Sequence, residues 1–238
     1  MSNDKRSFAE RHEEVGRLTR RWKVGPAYDA ARVLVRDFPG EIDGYTVLNM
    51  LICITDNGGG RMGGLREASM RLIDDAMMTI PDFAGSVAHG DMLRDLMLGM
   101  ARFPHGDSLA LARRLATQIR GMHKADPNRL ACLLDAEARM AAVKGDLEKS
   151  YKLHAEAHMQ WQQLGNEADP NWVHFNLVHW LRVSIELYGR RRRGTASILE
   201  MLRKTRHAEG AHNDNQVRII CLPVVGLRAY RWLETHRM

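Results

Sequence analysis

The stretch LLDAEARMAAVKGDLEKSYKLHAEA, residues Leu133 to Ala157, decides the fold. Its apolar residues recur at helical spacing on both sides of a tight Gly145-Asp146 corner, which predicts two amphipathic helices joined as a hairpin. Small residues fall where the two helices would touch, at Ala138, Ser150 and Ala157. Small side chains let antiparallel helices approach closely and leave an apolar face for the next hairpin to cover. This pattern is typical of a repeat unit.

Similar helical segments precede and follow this hairpin, about eleven in all, without a convincing alternating strand pattern. When the second helix of each predicted pair is aligned on one small residue, the intervals are 38, 44, 38 and 46 residues. The aligned residues are Ala30, Ala68, Ala112, Ser150 and Ala196. Intervals near 40 predict stacked helix pairs. We therefore expect an all-α, right-handed solenoid of about five antiparallel helix pairs plus a C-terminal helix, forming one domain over residues 1–238 with at most a minor break at the Gly-rich loop 57–64.

Two helix-start signals have the same sequence, Asp126-Pro127-Asn128 and Asp169-Pro170-Asn171. In each, Asp suits the N-cap and Pro suits the first turn. The second signal introduces Trp172 to Tyr188, which is apolar around most of its circumference and is expected to be central and buried. The tripeptide His-Gly-Asp occurs at His89–Asp91 and His105–Asp107. We interpret each Asp as a helix N-cap after a Gly turn, the alternative being a catalytic pair.

Composition bounds the class of protein. The 238 residues include 35 basic and 29 acidic residues, a net charge of +6, which favours polyanions over polycations without identifying nucleic acid. The most apolar stretches, residues 47–54 and 217–227, are shorter than the roughly 20 residues that cross a bilayer. The N-terminal residues form no apolar signal segment. Cys53, Cys132 and Cys221 show no CxxC spacing and are interpreted as small buried hydrophobes. We expect a cytoplasmic protein without membrane contact.

The central hairpin resembles the tetratricopeptide-repeat superfamily. Ala138 stands where that family has its small first-helix residue, Gly145-Asp146 at its interhelix corner, and Ser150 and Ala157 at small positions of its second helix. His154 replaces the usual large apolar residue. Looser matches are carried by two sets of residues, Ala68, Leu72 and Pro81, and Ala30, Leu34 and Pro39. The intervals exceed the family's repeat of 34 residues.

This resemblance implies a helical solenoid that binds other proteins or peptides along its concave face. We therefore expect a non-catalytic adaptor or scaffold, not an enzyme, that needs no cofactor. The partner is expected to carry acidic groups, because the chain is rich in Arg.

An arginine run offers the first candidate binding surface. Four consecutive arginines would repel one another if buried, so they are expected to be exposed and to meet phosphates or acidic side chains. The candidate partner-binding residues are Arg182, Arg190, Arg191, Arg192 and Arg193. An alternative function follows from the same run, a nucleic-acid-binding or regulatory helical-repeat protein. A solvated corner without function is the simplest interpretation.

A histidine set offers a candidate metal site. His154 and His158 lie one turn apart, and His174 and His179 fall on one polar arc of the next helix, beside Arg182. Two His at i and i+4 can hold a transition metal if a third ligand joins them. The alternative is that His154 fills a core position and the others are surface or hydrogen-bonded residues.

Two further segments are ambiguous. Gly58, Gly60 and Gly63 spell GxGxxG, but a dinucleotide site would need flanking parallel strands, so a flexible corner between helices is the simpler interpretation. The apolar band Val217–Leu227 either tucks under preceding helices or contributes to a homodimer through residues 217–233. The methionines of residues 92–100 are either adaptable core or a binding groove.

Overall fold

The structure is a computed structural model that describes residues 6–57, 65–102, 108–189 and 193–205. Regular structure within these ranges is helical, and no strand occurs in them. The helices are α1 (Phe8–Arg20), α2 (Val24–Asp37), α3 (Gly44–Asn57), α4 (Leu65–Thr79), α5 (Val87–Arg102), α6 (Ser108–Met122), α7 (Pro127–Val143), α8 (Leu147–Leu164), α9 (Pro170–Tyr188) and α10 (Arg193–Thr205). The predicted all-α class is confirmed for these residues. None of the helices described is both long and apolar enough to cross a membrane.

The helices group into two compact units, Met1–His123 and Lys124–Met238. The first unit contains α1 to α6 and the second contains α7 to α10. Helices pack in pairs within each unit, α1 with α2, α5 with α6, α7 with α8 and α9 with α10. The single domain, the right-handed solenoid and the number of repeats stay predictions.

The predicted central hairpin is present as α7 and α8. Gly145 adopts a φ of +83°, a left-handed conformation that suits glycine, and the Asp146 carboxylate then caps α8 by accepting a hydrogen bond from Lys149 N at 3.2 Å. The small residues Ala138, Ser150 and Ala157 are each fully buried. Close contact between the two helices therefore follows from the residues that predicted it.

Both predicted start signals begin helices. Asp126 accepts a hydrogen bond from Arg129 N at 3.0 Å, and Asp169 accepts one from Asn171 N at 2.9 Å. Asn128 adds a contact that ties the start of α7 to the end of α8: its Oδ1 accepts from Trp161 Nε1 at 2.8 Å, and its Nδ2 donates to the Glu167 carbonyl at 2.7 Å. Helix α9 packs against α8 and α10, so its predicted burial is confirmed.

In the first unit, α4 packs on α2 through polar contacts as well as apolar ones. The hydroxyl groups of Tyr28 and Ser69 are 2.7 Å apart, and Arg32 Nε donates to Asp75 Oδ2 at 2.6 Å. Buried methionines of α5, Met92 and Met97, fill the core beside these helices, which favours the interpretation of this segment as adaptable core.

In three of the five helix pairs, the buried residue is not the small residue used for the alignment but its immediate neighbour. Ala30 and Ala68 are half-buried and Ala196 is exposed, whereas their neighbours Ala31, Ser69 and Thr195 are buried. Hydrogen bonds explain two of these positions. The Ser69 hydroxyl pairs with Tyr28, and the Thr195 hydroxyl lies 2.7 Å from that of Ser184. The predicted alignment considered only the small size of the residue and so missed these polar contacts.

The interpretation of Asp91 as an N-cap is wrong. Helix α5 begins earlier, where the Ser86 hydroxyl accepts from His89 N at 3.1 Å. Asp91 lies inside the helix, buried, with its Oδ1 3.0 Å from Arg94 Nη1 and 3.4 Å from His123 Nε2. A buried carboxylate in a helix interior is held by such cationic and hydrogen-bonding partners.

Cysteine burial also differs from expectation, because Cys132 is buried and Cys53 is exposed. Several predictions fall outside the described residues, and they concern His105–Asp107, Gly58, Gly60, Gly63, Cys221 and the segment 217–233.

Two glycines of α5 provide a matched test of this packing. A Cβ at Gly90 would lie 2.5 Å from His123 Nε2, and the His123 ring is fully buried, so we expect Gly90→Ala to lower the free energy of unfolding by about 1–3 kcal/mol. A Cβ at Gly99 meets no heavy atom within 4 Å, so Gly99→Ala should raise it by about 0.5–1 kcal/mol through helix propensity. Urea unfolding of both variants measures the difference, and equal effects would contradict the close approach of Gly90 to His123.

Candidate functional site

A buried carboxylate on α7 is the centre of the candidate site. Asp135 is 1% exposed. Arg139 lies one helical turn further on, and its Nη2 is 2.5 Å from Asp135 Oδ2. A buried carboxylate needs such a partner, because burial of an unpaired charge lowers the stability of the fold by roughly several kcal/mol. The pair fixes the position of the Arg139 guanidinium on this face of α7.

His154 of α8 joins Asp135 to α9. Its Nδ1 lies 3.1 Å from Asp135 Oδ1 and 2.7 Å from Asn176 Oδ1. The Asn176 amide oxygen can only accept a hydrogen bond, and so can the Asp135 oxygen when that carboxyl is ionised. The proton therefore lies on Nδ1 of His154, which donates. The amide of Asn176 in turn donates from Nδ2 to the His154 backbone carbonyl at 3.1 Å. Three helices are therefore held together by one polar network in which Asp135, His154 and Asn176 are all buried.

Asp135 is ionised in the folded chain. Burial by itself raises the pKa of this carboxyl, but the positive charge of Arg139 and the hydrogen bond from His154 outweigh burial and hold its pKa well below the usual range. The network is thus built around a permanent negative charge rather than a neutral acid.

Above this buried layer lie three side chains that are only partly buried, Arg139, His179 and Arg182. His179 and Arg182 are three residues apart on α9 and so are neighbours on its surface. The His179 ring stacks on that of His154 with the ring centres 6.3 Å apart and the planes 10° apart. Helices α7 and α9 contact one another, and Arg139 and Arg182 both act on the His179 ring, so we call these three side chains the α7–α9 face.

His179 is uncharged near neutral pH. Burial of its ring lowers its pKa well below the usual value, and the positive charges of Arg139 and Arg182 lower it further, while Asp135 opposes them. Although part of the residue is exposed, the ring sits among cationic neighbours, so protonation is unfavourable. The α7–α9 face therefore carries two guanidinium groups and a neutral imidazole above one carboxylate.

Several polar atoms of this cluster are buried without a hydrogen-bond partner in the described part of the chain. Among them are His154 Nε2, Arg139 Nε and Arg182 Nε, and the same holds for Arg139 Nη2 and the two Asp135 oxygens, which form ion pairs instead. Such atoms are few in native proteins, and each requires an explanation, such as an ordered water, an ion or a polar ligand that pairs with it. Chemically, the two Nε atoms are donors that an anion can accept from.

The structure brings together only some of the residues predicted from the sequence. Arg182 and His179 lie on the α7–α9 face with buried His154. Arg193 is exposed at the first residue of α10, while Arg190, Arg191 and Arg192 lie outside the described residues.

The four predicted metal ligands do not form one group. The His158 ring lies 5.7 Å from Trp180, and burial lowers its pKa, whereas His174 is buried beside Phe175 at 6.2 Å. His154 already uses Nδ1 for Asn176 and Asp135. Across the part of the chain that the structure describes, no three His, Cys, Asp or Glu side chains are arranged to hold a metal ion. The predicted convergence fails because α8 and α9 direct these rings to different neighbours.

Sequence reasoning missed Asp135, Arg139 and Asn176. A signal for Asp135 exists, since it falls at i+4 from Ala131 and at i−3 from Ala138, both fully buried, and so lies on the packed side of α7. Arg139 follows at i+4 from Asp135, which looks like an ordinary surface pair. Asn176 shares a side of α9 with buried Trp180, one turn away.

No protein-family model, curated protein or solved structure matches the chain. The tetratricopeptide-like family therefore stays a prediction, and function must be argued from the chain itself.

Removal of the central carboxylate tests the network. We expect Asp135→Ala to lower the free energy of unfolding by about 3 kcal/mol, because it leaves Arg139 partly buried without its counter-charge and His154 with one acceptor fewer. The control is Glu156→Ala, an exposed acidic position on α8 that should change stability by no more than about 0.5 kcal/mol. Urea unfolding at pH 7 compares them, and equal losses would show that the network contributes nothing.

The depressed pKa of Asp135 predicts a pH dependence. In the unfolded chain this carboxyl takes up a proton near pH 4, whereas in the folded chain it stays ionised to lower pH. The stabilisation of the folded state by ionised Asp135 is therefore complete above about pH 4 and is lost as pH falls towards the folded pKa. Asp135→Asn cannot titrate. The difference in the free energy of unfolding between wild type and Asp135→Asn should therefore narrow between about pH 4 and pH 2. A difference that widens over this range would contradict the assigned direction.

Proposed function

We propose that the protein is a non-catalytic adaptor that binds acidic segments of a protein or peptide on the α7–α9 face. The observation that carries this proposal is the Nε of Arg182, which has no hydrogen-bond partner among the described residues, and Arg139 and Arg182 both lie near enough to His179 to lower its pKa. Because the Arg182 side chain as a whole is only partly buried, its guanidinium can donate to a carboxylate that approaches from solvent.

The charges of the face support an anionic ligand. Two guanidinium groups stand against the single carboxylate of Asp135, and His179 adds no charge near neutral pH. The surplus positive charge is partly shielded from water, where attraction to an opposite charge is stronger than at an open surface. A free acidic side chain therefore fits this face better than a neutral or basic one.

Pre-organisation adds to the fit. Asp135 fixes Arg139, and Asn176 and His154 fix the relative positions of α8 and α9 on which His179 and Arg182 depend. A partner would then bind without first ordering these side chains, which lowers the entropic cost of association. The partly buried Arg139 and Arg182 would bind a partner carboxylate better than the fully solvated side chain of Arg193.

The first experiment compares arginine with a charge-matched control. The probe is a blocked hexa-aspartate peptide, and binding is followed by fluorescence anisotropy at pH 7.5. We expect Arg182→Ala to weaken binding by roughly 10-fold or more, the loss of one charge-assisted pair of about 1.5–3 kcal/mol. Lys152→Ala removes the same charge from an exposed position on α8 and should weaken binding by less than about 2-fold.

Two results would contradict this proposal. Equal effects of Arg182→Ala and Lys152→Ala would mean that the peptide responds to net charge alone. The second result is that the peptide does not bind, whereas a single-stranded oligonucleotide binds tightly and in a salt-sensitive way. If Arg193→Ala then weakens binding of the oligonucleotide, the alternative of nucleic-acid binding through Arg190–Arg193 is favoured.

A further inference from the structure

We propose that the corner between α1 and α2 binds single-stranded nucleic acid, with one base stacked on Trp22 and phosphates held by the basic residues around it. We call residues 20–26 the Trp22 corner. This inference does not depend on the acidic-peptide function, because the corner belongs to the first unit and shares no residue with the α7–α9 face.

The backbone of Trp22 adopts a conformation that glycine normally supplies. Helix α1 ends in a Schellman motif, in which Trp22 N donates to the Thr19 carbonyl at 2.9 Å and Lys23 N donates to the Leu18 carbonyl at 3.0 Å. Trp22 follows the C-cap residue in this motif and has a φ of +58°. This left-handed conformation is unfavourable for a bulky side chain, whereas glycine adopts it freely. The turn itself therefore gives no reason for a tryptophan.

Packing gives no reason for this tryptophan either. Trp22 is 67% exposed, the highest value among the Trp, Tyr and Phe residues that the structure describes. An indole that stays in water gains little from burial, so packing does not offset the unfavourable backbone. Strained residues that the fold retains are typical of binding sites. The exposed ring offers a flat aromatic surface on which a nucleic-acid base can stack.

Basic side chains flank the ring on both sides in sequence. Arg20, Arg21 and Lys23 are exposed, and none of them forms an ion pair with another described residue. The acidic residues nearest to them in sequence are Glu14, which is already paired within α1 at 2.6 Å, and Asp29, in the second turn of α2. The corner therefore carries a surplus of positive charge that the phosphates of a nucleic acid can neutralise.

The first turn of α2 adds a second feature that favours a phosphate. The N-cap residue is Lys23, no side chain caps the helix, and its first turn contains no acidic residue. The N–H groups of a first turn have no acceptor within their own helix, and the helix dipole favours an anion there. Space is open at Gly25, where an added Cβ would meet no heavy atom within 4 Å. A phosphate can therefore approach this turn beside Trp22.

A single strand fits this corner better than a duplex or a membrane surface. The bases of a duplex are stacked on one another, whereas those of a single strand are free to stack on an aromatic side chain. Binding to a membrane surface grows with the apolar area that is buried, but Val24 is buried within the fold and the other neighbours of Trp22 are charged or small. The run Arg190–Arg193 has no interleaved aromatic residue, and the Trp22 corner has one.

The experiment measures Kd of fluorescein-labelled deca-thymidylate by fluorescence anisotropy at pH 7.5. Trp22→Gly should weaken binding by roughly 5-fold or more, because it removes the stacking surface. The same variant should not lower the urea midpoint of unfolding, because glycine adopts the left-handed conformation more readily, so weaker binding would not result from unfolding. Tyr45→Ala removes another exposed aromatic residue of the same unit and should weaken binding by less than about 2-fold.

The salt dependence of binding tests the phosphate contacts. Arg21→Ala should reduce the slope of log Kd against log salt concentration by about 0.7, the value for one phosphate contact of a single strand. Arg36→Ala removes an exposed arginine near the other end of α2 and should leave the slope unchanged. Equal changes of slope in these two variants would mean that the oligonucleotide responds to net charge alone, and they would overturn the assigned site.

Two further results would overturn this inference. One is oligonucleotide binding that Trp22→Gly leaves unchanged. The other is binding of phosphatidylserine vesicles without binding of deca-thymidylate, which would assign the Trp22 corner to a membrane surface. The hexa-aspartate peptide tests the proposed function separately, because Trp22→Gly leaves the α7–α9 face unchanged and should not alter the Kd of that peptide.

Discussion

The ionised carboxylate of Asp135 is the constraint on which the second unit depends. It is buried, and because a charge in that position is unfavourable by itself, the residues around it are determined by the need to neutralise and hydrogen-bond it. Arg139 supplies the charge, and Nδ1 of His154 lies 3.1 Å from one oxygen of the carboxylate. Since His154 is also hydrogen-bonded to Asn176, the polar contacts that begin at this carboxylate connect α7 to α8 and α8 to α9. Apolar packing brings these helices together, and the polar network specifies how they are aligned.

The same network explains why the α7–α9 face is cationic. A buried aspartate requires a positive charge nearby, and Arg139, which is partly exposed, supplies it. Arg182 and His179 lie on α9, which the hydrogen bonds of Asn176 attach to His154 of α8. Asp135, His154 and Asn176 thus have a structural role, and the ligand-binding role that we propose falls to Arg139 and Arg182.

Much of the helical architecture could be predicted from sequence, because its signals are local. The Gly145-Asp146 corner and the two Asp-Pro-Asn starts depend on backbone conformation and capping within a few residues, and both kinds of signal are confirmed. His154 could be identified as an exception because a polar residue stood in a packed position.

Non-local features were harder to predict. The bond between His154 and Asn176 joins residues 22 positions apart, and nothing in either helix alone indicates the partner. The prediction for Asp91 was wrong for a related reason, because its partner His123 follows the end of α6 and is distant in sequence. Side chains whose burial depends on a charge partner elsewhere look like surface residues until the packing is known.

Asn128 has a consequence for how this chain can vary in length. Its single amide holds Trp161 near the end of α8, the Glu167 carbonyl in the following turn and, at 3.3 Å, the backbone N–H of Asp169. Three hydrogen bonds thus attach the end of α8 and its connection to α9 to the start of α7. An inserted or deleted residue there would shift Asn176 along α9 and away from His154, so related chains should keep this connection constant and accommodate length changes in other loops.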